Sequence, residues 1–495
     1  MSTDYEPVIG LEIHVQLKTR TKMFCGCELS FGDPPNIHTC PVCLGLPGAL
    51  PVVNARAVDF AVMIGLALGS DIAPRSIFHR KNYFYPDSPK AYQISQYDEP
   101  ICRGGRLGDV RIHRVHLEED AAKLVHVGES GRIHGSDRSV VDFNRCGTPL
   151  VEIVSEPDLH SPEQAHEWLI LLRTTLRQLG VSDVNMEEGS LRCDANVSIR
   201  PVGSSELGTK AELKNMNSFR FLERGIRAEI ERQTGLLRNS EPVVQETLHY
   251  DPVTDRLTSL RSKEEAHDYR YFPEPDLVPL LVTEDVRAAA QAAIPELPAA
   301  RTERFERELG LASGIARDLA FRVELADFYE RALAAAPAGV ATPVEVANWI
   351  PLLVERIGSG TDPASCRVSP EALSGLASMV AAKEVSRDAA RDVLTKLVAE
   401  GGDPRAIVLR EGLGAISAED GDGLVTIVDA AIASDPDAAA KVKEGNLKAI
   451  GPLVGYVMRE TKGRADGGEV TRLIRERVGH ASAAAEAAAA TDEGT

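Results

Sequence analysis

The chain has 495 residues, enough for two to four domains, with 43% hydrophobic and 26% charged residues, which is ordinary for a globular protein. Its net charge of −19 argues against indiscriminate nucleic-acid binding, because phosphate affinity rests mainly on Lys and Arg. No charged-then-apolar leader opens the chain and no apolar run would span a bilayer, so a cytoplasmic protein without membrane attachment is expected.

The first predicted element is a strand, IGLEIHVQL, from Ile9 to Leu17. Strict alternation sets Ile9, Leu11, Ile13, Val15 and Leu17 on one face and Glu12, His14 and Gln16 on the other. A carboxylate and an imidazole ~7 Å apart along one face suit a hard divalent cation or a proton-transfer pair. A merely solvated strand face has the same pattern. Directly downstream stand Cys25-x-Cys27 and Cys40-x-x-Cys43, two thiol pairs that match a tetrahedral four-cysteine zinc site. Two disulfides are the alternative, but a reducing cytoplasm favours metal over oxidation. Closed by four thiolates, such a zinc would be structural. Cys102, Cys146, Cys193 and Cys366 are scattered and read as ordinary packing residues.

Two acidic segments follow. One is the run His116 to Asp120, HLEED, which alone reads as a solvated turn. The other is Glu152 inside PLVEIV, where an ionised carboxylate needs a cation or a partner such as Arg145. Ser161-Pro162-Glu163-Gln164 announces a helix with an N-cap, a first-turn proline and a capping-box Gln, and Gly180 stops it. Leu191 to Arg200 alternates almost perfectly, turning Arg192, Asp194, Asn196, Ser198 and Arg200 outward. Lys210, Glu212 and Lys214 share one face of the next strand, and Ser218 opens a helix. One-sided strands of this kind predict a mainly antiparallel sheet in an α+β domain. The stretch Gly203 to Lys210 imitates a phosphate-binding loop, but its Thr and Lys are in the wrong order and a strand follows.

Near residue 295 the character changes. Eleven of the twelve histidines precede it, and the chain beyond is Ala-, Leu- and Arg-rich with helical periodicity. A second break falls at Glu400-Gly401-Gly402-Asp403-Pro404. The expected organisation is a catalytic unit over residues 1–294, a helical domain over 295–404, a small helical tail domain over 405–480 and disorder over 481–495. Residues 441–480 carry nine basic against five acidic side chains, so RNA contact is expected there, through Lys448, Arg459, Lys462, Arg464, Arg472 and Arg475.

Six segments in order then resemble one family. RKNYFYPDSPKAYQISQ (Arg80 to Gln96), HLEEDAAKL (His116 to Leu124), FNRCGTPLVEIVSEPD (Phe143 to Asp158), GSLRCDANVSIR (Gly189 to Arg200), KAELKNMNSF (Lys210 to Phe219) and DYRYFPEPDL (Asp268 to Leu277) are similar to the GatB family, a subunit of the glutamyl/aspartyl-tRNA amidotransferases. GNLKAIGPLVGYVMRETKGRAD (Gly445 to Asp466) resembles that family's tail domain. The resemblance implies a glutamine synthetase-like cradle followed by an all-α domain and a small all-α tail. It implies ATP-dependent phosphorylation of the side-chain carboxylate of Glu or Asp misacylated onto tRNA, then amidation by ammonia. The ammonia would come from an amidase-signature glutaminase partner, with a small third subunit completing a heterotrimer. It places magnesium ligands at His14, Glu119 and Glu152, with Glu12 at a second cation position and manganese open because of the imidazole. It places Lys81 along the ammonia path. A zinc-containing RNA-binding module without catalysis, or a free-standing ligase acting on an amino acid, would retain some of these features and not others.

Overall fold

The protein is described from a computed structural model, over residues 4–127, 136–214, 216–252, 254–262, 266–337, 339–358, 361–415, 423–461 and 463–492. It divides into two compact units, one ending at Ala300 and the other starting at Arg301.

The first unit is built on one large sheet. Its central strands are β1 (Tyr5–Gln16), β2 (Val110–Glu119), β3 (Pro149–Ser155), β4 (Leu191–Pro201), β5 (Ala211–Lys214), β6 (Glu246–Asp251) and β7 (Arg256–Ser262). Their spatial order is β7-β6-β5-β4-β1-β3-β2, extended past β2 by the short strands Cys102–Arg103 and Asp71–Ile72. Every neighbouring pair is antiparallel except β5 with β6. The alternation read in β1 is realised: Ile9, Leu11, Ile13 and Val15 are fully or almost fully buried. They meet Cys193, Ala195 and Val197 of β4 and the helices α1 (Ala55–Ala67), α2 (Pro162–Gln178) and α3 (Phe219–Arg238) in one core. One face of the sheet is therefore spent on packing, which leaves the other for polar side chains.

The N-cap signals hold, and the capping-box role expected of Gln164 does not. Ser161 accepts from the Gln164 N–H at 3.1 Å, and Ser218 caps α3 by accepting from Phe221. Gln164 accepts from the His160 N–H at 2.8 Å instead of reaching back to the cap residue itself. A separate three-stranded sheet joins Phe272–Pro273, His79–Asn82 and Tyr92–Ser95. It carries Lys81, and Ser95 ties it to β2 by donating to Glu118 at 3.2 Å.

The second unit is helical throughout its described residues. One core joins Phe305, Phe328, Tyr329, Leu373, Leu376 and their neighbours as far as Ile407 and Val408. Another runs from Leu424 through Leu453 and Val457 to Val478. The helix Pro404–Glu411, capped by Asp403, thus belongs with the first of these cores, although the break in the sequence suggests the opposite. The last helix, Gly467–Asp492, continues through the alanine-rich stretch for which disorder is expected. Alanine sustains a helix by its own propensity. Among the described residues no helix is long and apolar enough to cross a membrane.

Candidate functional site

Antiparallel register turns sequence alternation into a two-dimensional pattern. Glu152 of β3, His14 of β1 and Arg192 of β4 are cross-strand neighbours in one row, and His116 of β2 extends that row past Glu152. Glu12 and Asp194 are partners one row over. Cross-strand partners point to the same face, so these side chains converge.

They converge into two groups that share His14. One is His14, Glu118 and Glu152, and the other Glu12, His14 and Asp194; each set offers ligand atoms within 4.8 Å of one another. His14 Nε2 lies 3.5 Å from Glu118 and 3.4 Å from Glu152. His116 Nε2 backs the same carboxylates at 3.7 and 3.6 Å, and Arg114 reaches Glu152 at 3.3 Å. Arg145, the partner expected for Glu152, instead donates to the Ala121 and Ala122 carbonyls.

Charge in the cluster is mutually reinforced. Burial alone would lower the His14 pKa, but its hydrogen bond with Glu152 and the charges of Glu118, Glu152 and Glu12 raise it to about 9. Burial would raise Glu152, yet the His116 charge and the His14 hydrogen bond and charge hold it well below the usual carboxylate range. Glu118 is lowered in the same way against burial, by the His116 hydrogen bond and the His14 charge. Glu12 is raised, first by burial and then by Glu152. A buried cluster with this surplus of carboxylate is a donor set for a hard divalent cation, and the shared imidazole also admits a borderline one.

The structure does not bring Glu119 to this set. Val115 and Leu117 face the core, so period-two alternation sends His116 and Glu118 to the polar face and Glu119 away from it. Glu119 is buried, paired with Lys90, and accepts the Ile94 N–H at 3.0 Å. Of the two adjacent glutamates it is Glu118, and not the expected Glu119, that stands with His14 and Glu152. The signal was available in the apolar pair Val115 and Leu117, but reading HLEED as a turn concealed it.

His14 and Glu118 open on a cavity of ≈ 470 Å³ that is also lined by Lys81, Arg192, Asp194 and Lys214. Lys81 is held charged: burial would lower its pKa, but Glu118 and Glu152 raise it, and its Nζ sits 4.8 Å from the Tyr269 ring centre. Lys214 pairs with Asp194 at 2.5 Å and Glu212 at 3.4 Å. Asp194, Glu212 and Arg192 were legible as outward-facing residues, but nothing short of register assigned them to a common site.

Cys25, Cys27, Cys40 and Cys43 form a second constellation, their sulfur atoms within 4.8 Å of one another. This donor set fits a structural metal. Cys43 is drawn down to about 4, first by its hydrogen bond with the Cys25 thiol and further by the Cys40 backbone and the Lys22 charge. Lys22 is fully buried, with Nζ 3.6 Å from Cys43 Sγ and 3.1 Å from the Phe143 carbonyl.

Of the residues expected to meet RNA, Lys448, Arg459, Arg472 and Arg475 are exposed. Arg472 pairs with Glu476 at 2.7 Å, and half-buried Arg464 donates to the Thr461 and Gly412 carbonyls. Lys462 lies outside the described residues.

Comparison with known proteins gives two family matches, the GatB/GatE catalytic domain over residues 7–288 and the GatB domain over residues 328–478. The GatB subunit of the aspartyl/glutamyl-tRNA(Asn/Gln) amidotransferase of Anaeromyxobacter dehalogenans is 47% identical over 487 residues, covering 96% of this chain and 99% of its own. The corresponding subunit of Frankia casuarinae is 50% identical, covering 96% of each chain. That of Thermobifida fusca is 47% identical, covering 96% of this chain and 94% of its own.

Proposed function

The chain belongs to the GatB family of aspartyl/glutamyl-tRNA(Asn/Gln) amidotransferase subunits, and from that membership we propose that its cavity runs a carboxylate-kinase reaction followed by amidation. The side-chain carboxylate of Glu or Asp misacylated onto tRNA attacks the γ-phosphorus of ATP, ADP leaves, and an acyl phosphate remains. Ammonia then attacks the acyl carbon and phosphate departs, leaving Gln-tRNA(Gln) or Asn-tRNA(Asn). The observation that carries this reading is the polar face on which His14 is shared by two carboxylate groups beside fixed cations at Lys81 and Lys214.

Two anions must meet in the first step, so screening of charge dominates its barrier. In this reading His14, Glu118 and Glu152 hold one divalent cation, and Glu12 and Asp194 supply a second position. A magnesium ion held there would supply positive charge that screens the two anions, and the imidazole leaves manganese usable. Lys81 borders the route by which ammonia arrives. The four cysteines hold zinc, which staples their loop. An amidase-signature glutaminase and a small third subunit complete the cytoplasmic heterotrimer and supply the ammonia. Basic side chains of residues 441–480 receive the tRNA.

The test is ADP formation by the purified complex with misacylated Glu-tRNA(Gln), misacylated Asp-tRNA(Asn), uncharged tRNA or free glutamate. ADP should form only with misacylated tRNA. ADP formation with free glutamate would favour a free-standing ligase, and tRNA binding without ADP formation would leave only an RNA-binding module.

A further inference from the structure

Arg192 is the cation of the cavity wall that the reaction, as proposed, leaves unused. It stands directly across from His14 in the β1–β4 register. Its Nη2 is held 3.0 Å from Asp120 Oδ1, while 38% of its side chain stays open. Asp120 is buried and saturated: Gln16 Nε2 donates to it at 2.9 Å, the Ala121 N–H at 2.9 Å, and Arg145 approaches to 3.7 Å. The carboxylate therefore fixes the guanidinium without consuming it. Arg192 Nε is buried and has no acceptor among the described residues, so the open part of the side chain is the rest of the guanidinium and its stem. Lys214 differs, being committed to Asp194 and Glu212. Lys81 presents a point charge from the wall that carries Tyr269.

A wall that only had to hold cations would gain nothing from a fixed guanidinium beside its carboxylates. A planar fork next to the cation cluster is suited to an anion with several oxygens in one plane. We propose that Arg192 binds the phosphoryl group in transit between ATP and the substrate carboxylate, and that Asp120 is the residue that positions it. In that step the bond from a carboxylate oxygen to γ-phosphorus forms as the bond to the β,γ-bridging oxygen breaks. Its electron pair leaves with ADP, and no proton moves. Charge is spread over the three peripheral oxygens there, and Arg192 donates to them. This assignment rests on the carboxylate-kinase reading.

The experiment uses the intact heterotrimer with ATP and misacylated tRNA. Arg192→Gln should lower kcat for ADP formation by roughly a hundredfold and Arg192→Lys by about tenfold, with little change in KM for ATP or aminoacyl-tRNA. Added guanidinium ion should restore part of the rate to Arg192→Ala, which a purely structural role would not allow. Asp120→Asn should lower the same kcat by less than Arg192→Gln. A kcat within threefold of wild type in Arg192→Gln would overturn the proposal. So would a loss confined to KM for aminoacyl-tRNA. If Arg192→Gln and Arg192→Ala fail to fold, Arg192→Lys decides by the same split. Wild-type complex that forms no ADP with misacylated tRNA would instead overturn the functional reading itself.

Discussion

At the scale of single residues, two adjacent glutamates have opposite roles. Glu118 faces the cation cluster, and Glu119 turns into the protein to pair with Lys90. Glu118→Gln should therefore cost ~3–4 kcal/mol of transition-state stabilisation, a hundred- to thousandfold in amidation. Glu152→Gln should match it. Glu119→Gln should instead lose roughly 3–5 kcal/mol of stability, because it leaves a buried ammonium without its counter-charge. Urea unfolding and amidation rates measured on the three variants separate the two roles, and a folded Glu119→Gln that loses amidation as fully as Glu118→Gln would refute the distinction. The sequence exposes Glu12 and His14 by alternation, and Glu152 as a lone carboxylate in an apolar run. It hides the set's third member, because three consecutive acids resemble a turn and only buried Val115 and Leu117 set the phase of β2.

At the scale of elements, periodicity and caps carry most of the information. The strands β1 and β4 and the helices opened by Ser161 and Ser218 follow from local rules, since each buries one face against a common core. The cysteine loop is legible from spacing, but Lys22 is not, because only the fold brings its ammonium to Cys43. We expect one zinc per chain by elemental analysis of protein purified without chelator. Cys40→Ser should lower zinc content and stability while most amidation survives. Zinc-free wild-type protein would rule this out. The loop that imitates a phosphate cradle also has a packing explanation: a Cβ at Gly208 would lie 2.1 Å from the Ile199 carbonyl oxygen of β4. Gly208→Ala should thus cost about 1–3 kcal/mol by forcing that strand edge to shift. Thermal unfolding checks it, and a neutral effect would show that the loop moves freely.

At the scale of the whole molecule, charge is segregated. The chain carries −19 overall, whereas residues 441–480 hold nine basic and five acidic side chains. Composition makes this visible, but it misplaces the junction, because Ile407 and Val408 are buried with the preceding helices. A truncation that tests the tail should consequently end at residue 415 and not near 404. It should raise KM for aminoacyl-tRNA and flatten the salt dependence of binding, since fewer phosphate counterions are released. Unchanged affinity and salt slope would assign tRNA binding elsewhere.

The central claim is that a carboxylate is phosphorylated before it is amidated. It is tested most directly by placing oxygen-18 in the side-chain carboxylate of the misacylated residue and following it through one round of amidation by the complete complex. The mechanism requires one labelled oxygen to pass from carboxylate to inorganic phosphate for each amide formed. Phosphate released without label, while amide accumulates, would contradict it.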